Sequence, residues 1–327
     1  MKTRKTLFLI AMFTIIITGY YTQKSVASTT LDFLFDWQMV SPYSPYLLAD
    51  EEGYYAAEGI KINFIEGQGA ETSAKLIGQG KYKIGTSNAA ATAIAIDNGI
   101  PIISIAMIEK DAVTAIFSLA KNNIKKPEDL IGKKLGVRYY DISHKEYLAM
   151  MKSCGISTEK VKEISVGWEL QPLITGQIDA LYNYAYNMPV VLEQQGFPVN
   201  MILVKDYGVD GYGSNIIANR EFAKENKNII VGFLRASRKG WEAAIANPDK
   251  AIAVLKKRYP ETNTKVALAI LKAQLQWISN QNKEYDLFYQ SATRWAKVIK
   301  TYMTLGVIKD DLKVNSVFTN NYLGKQE

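Results

Sequence analysis

Trp37, Tyr43, Tyr46, Tyr139, Tyr140, Tyr182, Tyr184 and Tyr186 are the residues best suited to chemistry in this chain of 327 residues. Trp37 follows an apolar run, Tyr43 and Tyr46 flank Pro45, and the other tyrosines stand behind two further apolar runs. A rigid ring with one polar tip stacks on a flat heterocycle while its hydroxyl sets the orientation, so rings at strand ends predict a ligand cleft. Covalent chemistry finds less to work with. The sole histidine, His144, has Asp141 and Ser143 beside it in the chain, too close to take the separate places of nucleophile, base and orienting group. With one histidine and one cysteine, a metal would be left to carboxylates, and Asp50-Glu51-Glu52 and Asp310-Asp311 read as solvated acids. No catalytic residue, metal site or cofactor is expected.

Two polar runs could supplement the rings. Gly67-Gln68-Gly69 sits between an expected strand and an expected helix, where Gln68 and the Gly69 N–H could meet an anion or a polar edge. A dinucleotide fingerprint would need a third glycine where Thr72 stands. Thr86-Ser87-Asn88 repeats the arrangement after the next strand, and Ser87 and Asn88 could cap a helix as well as touch a ligand. Both runs lie beyond the carboxyl ends of strands, where open parallel sheets bind their ligands.

The elements that must position these residues follow from periodicity. Leu31–Phe35, Ile60–Ile65, Lys83–Gly85 and Pro101–Ile108 read as strands, separated by helices over Pro45–Glu52, Glu71–Ile77 and Asn88–Asp97 that stop at Gly53, Gly78 and Gly99. That alternation predicts a mainly parallel sheet. The pattern restarts with a short helix at Pro127–Leu130, a strand at Lys134–Val137, and a helix His144–Ser153 opened by a Ser143/Glu146 capping box and closed by Gly155. The stretch 173–181 mirrors 76–84: an apolar helix end meets a glycine and runs into a strand, which suggests two lobes built alike. From Glu221 on the chain is mostly helical, with Asn247 as an N-cap, Trp241, Trp277 and Trp295 as core, and Cys154 earlier as a small buried apolar residue on its helix.

Residues 1–27 read as an export signal: Lys2, Arg4 and Lys5 lead an apolar run from Leu7 to Ile17, and Ser25-Val26-Ala27 offers small residues for cleavage. The run is too short for the ~20 residues of a spanning helix. Its four basic and no acidic residues bring the formal charge of +7 down to +3 on removal. No basic block interleaved with aromatics remains, so nucleic acid is not an expected partner. A periplasmic or extracellular location and a monomer are expected.

Taken together, Asp36-Trp37, the run Leu48–Ile60, Gly67-Gln68-Gly69, Gly99-Ile100-Pro101, Pro127–Val137, Gly176–Ala180, Asn187-Met188-Pro189 and Asp206–Val209 resemble the SsuA/THI5-like, or NMT1/THI5, family of substrate-binding proteins for ABC importers. The resemblance covers most of the chain after residue 27. It implies an α/β type II periplasmic-binding-protein fold, with lobe one at 28–117 and 217–327, lobe two at 118–216, and crossings near Ala115–Ala120 and Ser214–Asn219. Partners would be a small-molecule ligand, an ABC permease and its ATPase. The ligand would be a thiamine pyrimidine precursor or a riboflavin-like heterocycle, with a sulfonate, taurine or nitrate as the alternative. In that reading Trp37 and Tyr43 stack from lobe one, Gln68, Gly69, Ser87 and Asn88 donate hydrogen bonds, and Tyr140, Asn183 and Tyr186 close from lobe two. Two departures stand out. Ser41-Pro42-Tyr43 replaces an Asn-Thr-Asn-His run, and Met188 replaces the acid of an Asn-Glu-Pro motif, removing two polar partners of an aminopyrimidine. Pyrimidine synthases of the family use a histidine where Tyr43 stands and a cysteine-rich motif, so no enzyme is expected here. Intact-mass measurement of the exported protein is expected to show a chain beginning near Ser28.

Overall fold

The computed structural model describes residues 28–139, 141–281, 287–309 and 311–324; residues 1–27, expected above to be an export signal, and Tyr140 lie outside them. Ten strands follow in chain order: β1 (Thr29–Leu34), β2 (Ile60–Ile65), β3 (Ile84–Asn88), β4 (Ile102–Met107), β5 (Thr114–Leu119), β6 (Lys134–Val137), β7 (Lys162–Ser165), β8 (Ala180–Tyr184), β9 (Val199–Leu203) and β10 (Ser214–Asn219). They form two five-stranded sheets, ordered β2-β1-β3-β10-β4 and β7-β6-β8-β5-β9. In each sheet the first three strands are parallel and the fourth runs antiparallel to both neighbours. The expected mainly parallel sheet is found, four of its five strands running one way, with β10 as the antiparallel exception. β10 begins opposite the end of β4, pairing Asn215 with Met107. A strand that re-enters where another has just left has to run the opposite way.

Each half thus has the same order: second, first, third, visitor, fourth. The mirrored stretches 76–84 and 173–181 lead into β3 and β8, the third strand of each half. The segments expected as crossings are themselves the visiting strands. The chain passes between sheets just before them, at 108–113 and 208–213. β5 is buried at all six positions, as a central strand covered on both faces must be.

Twelve α-helices complete the structure: α1 (Ser44–Glu51), α2 (Tyr54–Ala57), α3 (Ala70–Gly78), α4 (Ala89–Asp97), α5 (Ile142–Ser153), α6 (Gln171–Ile174), α7 (Met188–Gln194), α8 (Arg220–Glu225), α9 (Lys227–Ala246), α10 (Pro248–Arg258), α11 (Thr264–Gln281) and α12 (Ala292–Thr304). Several local signals act elsewhere than expected. Gly78 remains helical, its missing side chain making room for Ile100, whose Cγ2 would lie 2.2 Å from a Cβ there, and the left-handed turn falls to Gly80 (φ 76°). Asp141 rather than Ser143 caps α5, its Oδ1 accepting from Ser143 N at 2.8 Å, while Glu146 turns inward. Asn247 caps α10 as expected. Cys154 is half-buried at the α5 terminus rather than buried. Trp241 and Trp295 are core, whereas Trp277 is half-buried beneath the Lys205 ammonium at 5.0 Å.

One cluster of aromatic side chains, with Phe33, Phe35, Tyr46, Tyr55, Phe233 and Trp241 at its centre, packs α1 and α9 on the first sheet. The two helices meet closely at Gly240, where an added Cβ would stand 2.4 Å from Pro45 O and 2.6 Å from Ala49 Cβ. Gly240→Ala would raise helix propensity by about 1 kcal/mol, yet overpacking of this kind costs about 1–3 kcal/mol. Because a backbone oxygen has little room to yield, chemical denaturation is expected to show a net loss of about 1–2 kcal/mol.

Candidate functional site

Both crossings join the carboxyl ends of the strands, and a cavity of about 560 Å³ opens there between the sheets. That volume lies within the roughly 300–1,000 Å³ that holds a small organic ligand. Sheet one supplies Asp36 and Trp37 behind β1, Tyr43 and Tyr46 from the turn into α1, Gly69, and Thr86 from β3. Sheet two supplies Arg138 behind β6, Trp168 behind β7, and Tyr182, Asn183, Tyr184 and Tyr186 from β8 and its end. Trp37 and Trp168 meet across the mouth at 4.7 Å between ring centroids. A second cavity of about 450 Å³ continues beyond this pair and shares Trp37, Gly69, Arg138, Asp141 and Trp168 with the first.

Sheet one's floor is set by two glycines. Gly67 N donates to Trp37 O at 3.1 Å and Gly69 N to Asp36 O at 2.7 Å, so the loops behind β1 and β2 run side by side. Any Cβ on Gly67 would lie 2.0 Å from Phe35 O, and Gly69 has φ 114°, open to glycine alone at low cost. The Gly-Gln-Gly run is therefore a close-packing device: both glycine N–H groups are taken by carbonyls, correcting the expectation that they face a ligand. Gln68 is exposed and borders only the outer cavity.

The structure brings Trp37, Tyr43, Gly69, Asn183 and Tyr186 to the inner cavity, and places Ser87 and Asn88 elsewhere. Asn88 Oδ1 accepts from Ala90 N at 2.8 Å as the N-cap of α4, and Ser87 is fully buried, its hydroxyl donating to Ala70 O at 3.3 Å. Thr86 faces the cavity instead. Tyr43 stacks on Phe35 at 4.3 Å and gives its hydroxyl to Asp36 Oδ1 at 2.9 Å. Tyr186 stacks on Tyr184 at 5.3 Å and donates to Glu109 Oε1 at 2.7 Å. Burial holds the Tyr43, Tyr182, Tyr184 and Tyr186 phenols well above their usual pKa, so they act as hydrogen donors.

Four residues escaped the sequence reading. Arg138 donates from Nη2 to Tyr182 O at 2.7 Å and from Nη1 to Gly167 O at 3.3 Å, and its guanidinium lies 4.0 Å over the Trp168 ring. It fixes Trp168, which is 44% exposed, as a platform. Burial lowers the Arg138 pKa, partly offset by Asp141. Asp36 and Glu146 are the other two. Their only signals were an acid next to a strand-end tryptophan and an acid on the inner face of α5.

A family model described as NMT1/THI5 like matches residues 41–251. The formylaminopyrimidine-binding protein of Halalkalibacterium halodurans is 25% identical over 280 residues, 84% of this chain and 84% of that protein. The riboflavin-binding protein RibY of Chloroflexus aurantiacus is 25% identical over 291 residues, covering 86% and 82%. The 4-amino-5-hydroxymethyl-2-methylpyrimidine phosphate synthase THI5 of Saccharomyces cerevisiae is 24% identical over 327 residues, covering 92% and 90%. The periplasmic aliphatic sulphonate binding protein SsuA from Escherichia coli superposes with a TM-score of 0.71 at 16% identity, over 90% of this chain and 99% of that one. The fold is that of the periplasmic binding proteins.

Glu146 is 2% exposed, and burial raises its pKa to about 7 despite hydroxyl donors on Thr114 (2.8 Å) and Tyr182. Between the ordinary carboxyl range and pH 7 the folded chain keeps a proton that the unfolded chain releases, so stability falls as pH rises through that window and levels off above it. A rise from 4.5 to about 7 corresponds to about 3 kcal/mol. Urea titrations at pH 5 and pH 7.5 are expected to show this decline in the parent protein and a flatter profile in Glu146→Gln.

Proposed function

The chain belongs to the NMT1/THI5-like family, and from that premise we propose that it is an extracytoplasmic solute receptor of an ABC importer, taking a small heteroaromatic nutrient between two lobes. The observation that carries this reading is the cavity walled by rings from both sheets, with Trp37 of one half against Trp168 of the other. A flat solute that replaces part of this contact would be sandwiched by rings already held in place, which keeps the ordering cost of binding low.

The sheets move the expected lobe bounds to the crossings: lobe one would comprise 28–107 and 214–327 and lobe two 114–207, with hinge movement taken up in the segments 108–113 and 208–213. Trp37 and Tyr43 serve from lobe one, and Asn183 and Tyr186 from lobe two, joined by Trp168. Closure excludes water and strengthens the polar contacts inside, and the closed shape is what a permease and its ATPase would read. The thiamine pyrimidine precursors and the flavins are the ligand classes the named relatives support. Retention of the solute unchanged, in preference to synthase chemistry, is supported by the walls: neither His144 nor Cys154 borders the cavity. His144 pairs with Glu163 at 3.1 Å instead. Export and a monomeric state complete the proposal.

Thermal unfolding is to be followed with riboflavin, hydroxymethylpyrimidine, thiamine, taurine and nitrate. Saturation at about 100 times Kd is worth about 2.7 kcal/mol of stability, enough to read as a clear shift. The heterocycles are expected to stabilise the protein, and a response confined to taurine or nitrate overturns the proposal. Since base-type stacking is worth about 1–3 kcal/mol, Trp37→Ala and Trp168→Ala are each expected to weaken heterocycle binding about tenfold in calorimetric titration.

A further inference from the structure

We propose that Asp36 is the residue that selects the ligand, its Oδ2 accepting an N–H from the edge of the bound heterocycle; the inference rests on the receptor reading above. Asp36 stands two residues beyond the end of β1, half-buried, in the wall of the inner cavity. Four contacts hold it. Its Oδ1 accepts the Tyr43 hydroxyl at 2.9 Å and the Thr86 hydroxyl, its N–H donates to Thr86 Oγ1 at 2.8 Å, and its carbonyl accepts from Gly69 N at 2.7 Å. Side chain and backbone are thereby fixed together, as a group that must recognise a ligand needs to be.

Both hydroxyls converge on Oδ1, and Oδ2 has no protein partner among the described residues. With both donors on Oδ1, Oδ2 is the oxygen left to a ligand, and as a carboxylate oxygen it would accept from an N–H. Tyr43 cannot supply that donor, because its hydroxyl is already given to Oδ1.

The charges nearby favour the same class of solute. Among the described residues, the carboxylates of Asp36 and Asp141 border the cavity against the one guanidinium of Arg138. That guanidinium already serves Gly167 O and Tyr182 O, and its Nε stands 4.0 Å from Asp141 Oδ2. An acceptor-only anion such as a sulfonate or nitrate would meet these acids, and the guanidinium there is already beside Asp141, with only its Nε left without a hydrogen bond. A flat ring with an exocyclic amino group or a ring N–H meets Oδ2 directly. Asp36 thereby restores to the site an acid that Asn187-Met188-Pro189 does not supply.

Matched probes test this. Affinities are to be measured by calorimetry for 4-amino-5-hydroxymethyl-2-methylpyrimidine against its 4-methoxy analogue, and for riboflavin against N3-methylriboflavin, in the parent protein and in Asp36→Asn. In whichever pair binds, the N–H probe is expected to bind at least about tenfold more tightly to the parent, because a site built to receive a hydrogen bond rejects the analogue lacking it. Asp36→Asn is expected to bring that ratio below about threefold, since its amide can turn a donor toward the methoxy or methylated edge. Equal affinity of both members in the parent overturns the role of Asp36 and leaves the receptor reading standing. A ratio that survives Asp36→Asn, with both affinities lowered alike, reduces Asp36 to a structural brace and also overturns it. If Asp36→Asn does not fold, the same pair is measured in Asp36→Ser, where a collapsed ratio supports the role of Asp36 and an unchanged one overturns it. Binding of taurine or nitrate with no heterocycle bound overturns the receptor reading and this inference together.

Discussion

Everything in this molecule depends on how two chain crossings are tied together. Glu109 lies in the first crossing, fully buried, and its main chain and side chain both pair with the second: its carbonyl accepts from Gly213 N at 2.9 Å, its N–H donates to Ser214 O at 3.1 Å, and its Oε2 accepts from Ser214 N at 3.1 Å. Oε1 then takes Tyr186 from one half and Gln274 Nε2 of α11, at 3.2 Å, from the other. Burial raises the pKa of this acid against the pull of these donors. A buried carboxyl is tolerable only where its oxygens are met, and here the partners that meet them are the parts that must stay in register. Each sheet's visiting strand starts from this joint, so the joint also sets strand direction and places the carboxyl ends of both sheets around one space.

What lines that space was decided by close approach. The loops behind β1 and β2 can lie side by side only because Gly67 has no side chain to meet Phe35 O. Their proximity turns Asp36 toward Thr86 and Tyr43, and the three form a small polar node under the aromatic walls. Opposite, Arg138 spends its hydrogen bonds on carbonyls and its flat face on Trp168. Among the described residues the one cation of the cavity wall, half-buried Arg138, therefore acts as a brace for a ring.

Much of this was legible in one dimension. Ile60–Ile65 was read as the strand it is, Asn247 as the cap it is, and the glycines at 53, 99 and 155 as helix stops with positive φ. Rings behind strands pointed to a cleft, and Trp37, Tyr43, Asn183 and Tyr186 do border it. The failures have a common cause. Thr86, Ser87 and Asn88 are adjacent and chemically alike, and only the packing of α3 and α4 on β3 leaves Thr86 on the cavity while consuming the other two. Gly78 and Gly80 were likewise separated by contact with Ile100, a neighbour the local sequence does not reveal.

The sequence by itself determined the strands and helices of the first half up to β4, the restart of the pattern at β6 and the ring-rich character of the cavity. Those properties depend on side-chain periodicity, glycine placement and residue type within a few positions along the chain. The tertiary structure alone decided which acids line the cavity and which tryptophan answers Trp37. Asp36 and Thr86 are 50 residues apart, and Trp37 meets Trp168 across two separate sheets. Such pairings are set where the chain changes sheet, and no local pattern of residues encodes that geometry.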